Sequence, residues 1–92
     1  MIESFKHKEL KKFFLAGNKR GIQPEHEVKL RTQLALLNTA STIEDLNMPG
    51  YDLHLLNPKK SGVWSIAVHA NWRLTFKFNN ENVQLLDYEH YH

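Results

Sequence analysis

The chain has 92 residues, 41% hydrophobic and 24% charged, which suits one small globular domain, residues 1–92, and excludes a fibrous or strongly disordered chain. The absence of cysteine rules out disulfides and thiolate metal sites and fits a reducing, cytoplasmic compartment; no apolar stretch is long enough for a signal peptide or for the roughly 20 residues of a membrane span. The net charge of +2 hides an asymmetry: residues 1–34 hold eight Lys or Arg against four Asp or Glu, and the remainder holds four against six, so the N-terminal region is either a face for a polyanion or a solvated helix surface.

After a short apolar start at Ile2 and Phe5, Leu10, Phe13 and Phe14 fall at helical spacing while Lys8, Lys11 and Lys12 project elsewhere, and Gly17 is placed to stop this first helix. Pro24 suits the first position of a second helix, which runs to about Thr39 with Leu30, Leu34 and Leu37 as its buried stripe. Glu25 with Lys29 and Glu27 with Arg31 have the spacing of supporting ion pairs. Ser41 and Glu44 have capping-box spacing for a further helical turn, and Pro49-Gly50 ends the helical half.

Beyond Gly50 the period changes from 3.6 to 2. Trp64, Ile66 and Val68 alternate with Ser65, Ala67 and His69, and Trp72, Leu74, Phe76 and Phe78 alternate with Arg73, Thr75 and Lys77. This predicts two antiparallel strands joined at Ala70-Asn71. A polar turn over residues 79–82 leads to a strand over residues 83–88, and residues 51–56 supply another, placing His54 near the sheet centre. Two helices followed by three to five strands predict an α+β fold, both helices covering one face of a curved, mainly antiparallel sheet.

The alternation fixes which side chains share a face. Arg73, Thr75 and Lys77 point away from the core, so Arg73 is either a cationic floor for a phosphate or a solvent-facing arginine. The C-terminal His90-Tyr91-His92 adds groups that titrate or donate near neutral pH; His90 and His92 share a face if the last strand continues to the end, with Tyr91 opposite. Two imidazoles flanking a phosphate divide the acid and base roles that RNA cleavage needs. The competing reading is a zinc site built from His54, His90 and His92, for which no further ligand stands at recognisable spacing. His7, His26 and His69 are expected to do nothing specific. Lys59 and Lys60, after Asn57-Pro58, form a basic loop suited to a nucleic-acid backbone.

The string Ser4-Phe5-Lys6-His7-Lys8 with Leu10-Lys11, then Leu53-His54-Leu55-Leu56, Trp64-Ser65-Ile66, Ala70-Asn71-Trp72-Arg73-Leu74-Thr75-Phe76 and the terminal Tyr91-His92 closely resembles the HigB toxins of the RelE/ParE superfamily, also labelled plasmid maintenance killer proteins. The resemblance runs from end to end. It implies a RelE-like fold and a ribosome-dependent mRNA endoribonuclease (mRNA interferase), the toxin of a type II toxin-antitoxin pair, cutting mRNA in the ribosomal A site without metal or other cofactor. It also implies a HigA-like helix-turn-helix antitoxin, with the complex binding operator DNA.

Carried over by position, His54, Arg73, Tyr91 and His92 match the family's active-site residues. His54 and His92 would be acid and base in unassigned order, Arg73 would stabilise the phosphorane and Tyr91 would position the nucleotide. This chain has Leu56-Asn57-Pro58 where relatives commonly have Leu-Lys-Gly, so Lys59 or Lys60 would supply the cation, and it has His90 where relatives commonly have Asp. Lys59, Lys60 and His90 complete the expected substrate-binding set. Rival functions are a non-enzymatic gyrase inhibitor of the ParE kind and a catalytically weakened toxin kept as corepressor with its antitoxin.

Overall fold

In the computed structural model the described residues are 1–56 and 62–91. Helix α1 (Lys8–Ala16) starts where the His7 ring turns back onto the backbone, its Nδ1 accepting from the Leu10 N–H at 3.0 Å. It stops at Gly17, which takes the left-handed conformation (φ 70°) and donates its N–H to the Phe13 carbonyl. Leu10 and Phe13 are buried, and Phe14 packs against Phe5.

A 3-10 turn, Pro24–His26, leads into helix α2 (Glu27–Thr39), whose Leu30, Leu34 and Leu37 form the expected buried stripe. Glu27 pairs with Arg31 at 3.9 Å and with Lys19 at 3.4 Å, whereas Lys29 lies over the Tyr51 ring rather than against Glu25. The capping box falls one residue later than its spacing suggested. Thr42 caps the 3-10 turn Ile43–Leu46, and Asp45 Oδ2 accepts the backbone N–H groups of Ser41 and Thr42, which lowers the Asp45 carboxyl below its ordinary pKa.

The sheet has four antiparallel strands in sequential order: β1 (His54–Leu55), β2 (Trp64–His69), β3 (Trp72–Asn79) and β4 (Asn82–His90). The β2–β3 hairpin turns at Ala70-Asn71 as the alternation predicts. Asn80 and Glu81, both at positive φ, make the two-residue turn into β4 in the primed geometry that matches strand twist. The strand expected over residues 51–56 contracts to two residues, because Asp52 at φ 49° breaks the extended run. It lies at the sheet edge, so His54 is marginal and the strand of Arg73 is internal.

Beyond β4, residues 2 to 5 run parallel to it through bridges Ile2↔Val83 and Phe5↔Leu86, covering an edge that would otherwise be open. The β3–β4 register slips here: Thr75 faces Asp87 but Lys77 faces Gln84, so Leu85 and Leu86 together oppose Phe76. This is a β-bulge, with Leu85 at φ 54°. Its N–H groups are not orphaned: Leu85 N donates to Ser4 Oγ at 2.9 Å and Leu86 N to Ser4 O at 3.1 Å.

The helix stripes and the inward residues Ile66, Val68, Leu74, Phe76, Val83, Leu86 and Tyr88 join in one core. Among the described residues no helix is long and apolar enough to cross a membrane. Two histidines expected to be idle are structural: His7 caps α1, and His26 is buried, its Nδ1 hydrogen-bonded to the Tyr88 hydroxyl at 2.5 Å and its ring beside His69, Trp72 and Tyr88. Burial, and secondarily the neighbouring His69, lower the pKa of His26.

Candidate active site

Pleating turns Ser65, Arg73, Thr75, Lys77, Asp87 and Glu89 to the face away from the helices. The register places Thr75 between Ser65 and Asp87, and Arg73 between Ala67 and Glu89. His54 pairs with Ser65, which brings its imidazole from the edge toward Arg73.

The guanidinium is held on both sides. Arg73 Nε donates to Ser65 Oγ at 2.6 Å, and Nη2 donates to Asp52 Oδ2 at 2.8 Å. Ser65 is fully buried, so this anchor is shielded from water, whereas the Asp52 side chain is 71% exposed. Nη2 lies 3.4 Å from His54 Nδ1. That nitrogen is also 2.9 Å from the Asp52 carbonyl oxygen, which can only accept, so Nδ1 carries a proton, and the tautomer this selects has its lone pair on Nε2. The Arg73–His54 approach is therefore a juxtaposition and not a hydrogen bond.

Tyr91 leaves β4 with its N–H donated to the Asn71 carbonyl at 2.8 Å, and its ring centroid lies 5.9 Å from Arg73 Cζ. Burial raises the phenol pKa first, Glu89 raises it further and Arg73 partly offsets both, so the hydroxyl stays protonated and available as a donor at neutral pH.

Beside these groups opens a cleft of about 460 Å³. Leu56, Val63, Phe76 and Leu85 supply its apolar lining, Thr75, Glu89 and Tyr91 its polar lining, and Lys6 and Lys77 add positive charge. Thr75 Oγ1 donates to Glu89 Oε2 at 2.5 Å.

The structure thus brings together His54, Arg73 and Tyr91. It does not bring His90 to this face: His90 faces Trp72 across the ladder, and its ring lies 4.9 Å from the indole, on the helix side. His54 and His90, on opposite faces, cannot share one ion, and among the described residues no three His, Asp or Glu side chains are grouped to hold a metal. Lys59, Lys60 and His92 lie outside the described residues. Asp52, Ser65, Glu89 and Lys6 belong to the site without having been expected there. Ser65 and Glu89 were accessible through strand register, whereas Asp52 and Lys6 arrive from irregular chain whose course no periodicity marks.

The family described as RelE-like toxin of type II toxin-antitoxin system HigB matches residues 3–92. The chain is 44% identical to Endoribonuclease HigB of Proteus vulgaris over 92 residues, the full length of both. It is 31% identical to an uncharacterized protein of Haemophilus influenzae over 86 residues, covering 91% of this chain and 85% of that one. With the match spanning helices, sheet and site alike, the chain belongs to the HigB family of RelE-like toxins, whose partner in a type II toxin-antitoxin system is an antitoxin.

Proposed function

We propose that this toxin is an endoribonuclease that cuts mRNA by acid-base chemistry, the activity named for its Proteus vulgaris relative. The observation that carries the reading is the convergence of His54, Arg73 and Tyr91 on one face of the sheet. Such a face meets the needs of phosphodiester transesterification.

In this reading His54 is the base, because hydrogen bonding of Nδ1–H to the Asp52 carbonyl leaves Nε2 free to take the ribose 2′-hydroxyl proton. The 2′-oxygen attacks phosphorus, the bond to the leaving 5′-oxygen breaks, and a 2′,3′-cyclic phosphate and a 5′-hydroxyl result. Arg73, already fixed by Ser65, stabilises the added negative charge on the phosphorane. Tyr91 positions the nucleotide through ring and hydroxyl. The acid that protonates the 5′-oxygen is assigned to His92, and backbone neutralisation to Lys59 or Lys60. A site with so few groups suits a substrate aligned by the ribosome in its A site. The antitoxin is of the HigA helix-turn-helix kind, its complex with the toxin binds operator DNA, and the toxin works in the cytoplasm, where translating ribosomes are.

The test is primer-extension mapping of mRNA cleavage in a translation reaction with wild type, Arg73→Ala and His92→Ala. Cleavage by the wild type that falls at least a hundredfold in both variants supports the assignment; equal cleavage in all three removes it. Growth arrest with intact mRNA and damaged DNA would instead favour gyrase poisoning.

A further inference from the structure

We infer that the cleft beside Arg73 is a nucleobase pocket in which Glu89 selects bases bearing an exocyclic amino group, adenine, cytosine or guanine, over uracil. The inference rests on the endoribonuclease reading for its substrate and adds which part of the nucleotide this chain reads.

Four observations carry it. First, the cleft has room and apolar walls: about 460 Å³, with Leu56, Val63 and Leu85 offering apolar contact to a base. Second, it adjoins the phosphate-binding groups, because Glu89 lies directly across the ladder from Arg73 and Tyr91 lines the cleft while its ring meets the guanidinium. A phosphate on Arg73 thus puts a neighbouring base within reach of the walls.

Third, Glu89 is a carboxylate in a cleft that two lysines line, yet among the described residues it forms no ion pair. Arg73 takes Asp52 as its anion, and neither Lys6 nor Lys77 is bridged to Glu89 although both line the cleft. Its Oε2 is held by the hydroxyl of Thr75, itself buried. Fourth, that bond fixes the carboxylate while using one of its acceptor positions, so among the described residues Oε1 is left to receive a donor from a ligand.

An ionised carboxylate only accepts. Adenine and cytosine present an amino group, and guanine presents an amino group beside its N1–H, whereas the N3–H of uracil is flanked by two carbonyl oxygens that the carboxylate repels. Lys6 and Lys77 suit the flanking phosphates, which lysine neutralises without reading sequence.

The test measures binding of AMP, CMP, GMP and UMP to the intact chain by NMR titration, for wild type and Glu89→Ala, alongside cleavage in a translation reaction of messages differing at one nucleotide. The expected result is that wild type binds the three amino-bearing nucleotides about fivefold or more tighter than UMP, a size typical of one good base-edge contact. Glu89→Ala should bring all four within twofold. Preference absent in the wild type, preference kept in Glu89→Ala, or no binding of any nucleotide overturns the pocket. Base-selective binding without RNA cleavage would sink the nuclease reading and leave the pocket standing; cleavage without base-selective binding does the reverse.

Discussion

The Arg73 guanidinium donates to the Asp52 carboxylate at 2.8 Å, so its Nη2 is already occupied by an anion from the same chain. Asp52 is mostly exposed, Arg73 is not, and the Ser65 anchor on Nε is independent of Asp52. In the proposed mechanism a scissile phosphate displaces a carboxylate that water readily receives, without disturbing the arginine.

Asp52→Asn should lower the KM for RNA by about two- to fivefold, the strength of an exposed ion pair, while kcat changes little because the backbone carbonyl that orients His54 remains. Added salt should shrink the difference between variant and wild type. Steady-state cleavage kinetics decide; a raised KM would mean that Asp52 assists binding.

His26 gives stability a pH dependence. Its folded-state pKa is depressed below the ordinary 6.5 by burial first and by His69 second, with Lys29 lowering it and Glu25 opposing. Below about 6.5 the unfolded chain binds the proton more readily than the folded one. Stability from this group is therefore fully present above that pH and declines as pH falls toward the folded value. His26→Gln, which keeps a polar partner for the Tyr88 hydroxyl, should flatten the change in melting temperature between pH 7.5 and pH 5.5. Thermal melts at the two pH values check it. His26→Ala should cost about 2–4 kcal/mol at neutral pH by leaving a cavity and an unpaired hydroxyl.

Leu85 occupies a left-handed conformation that its branched side chain disfavours, and its side chain is half exposed, so little packing offsets the strain. Leu85→Gly should be more stable than Leu85→Ala by about 1 kcal/mol, the reverse of the usual order in a strand. Urea denaturation of the two variants gives the comparison, and Ala above Gly would mean that the bulge is not strained.

Period-2 alternation from Trp64 to Phe78 was enough to read the β2–β3 hairpin and the face carrying Arg73, because a strand offers only two sides. Gly17 likewise announced the end of α1. What stayed hidden depends on partners far along the chain. His26 looks idle until Tyr88, 62 residues away, supplies its hydrogen bond, and the pairing of residues 2–5 with β4 has no local signature. The spacing of His90 and His92 says that they share a face if the strand continues, but not which face. The neighbour of His90 across the ladder is Trp72, and that register puts it against the indole on the helix side. Asp52 was missed because a positive-φ turn, rather than a strand, delivers it to Arg73.

The decisive measurement is a double-mutant cycle on His54 and Arg73, read as the single-turnover rate of mRNA cleavage in a translation reaction. With Nη2 and Nδ1 3.4 Å apart and, in the proposed mechanism, both groups acting on one phosphate, each alanine variant should lose about a hundredfold or more, and the double variant little beyond the worse single one. Losses that multiply independently, or a single variant that cleaves at the wild-type rate, would contradict a shared site.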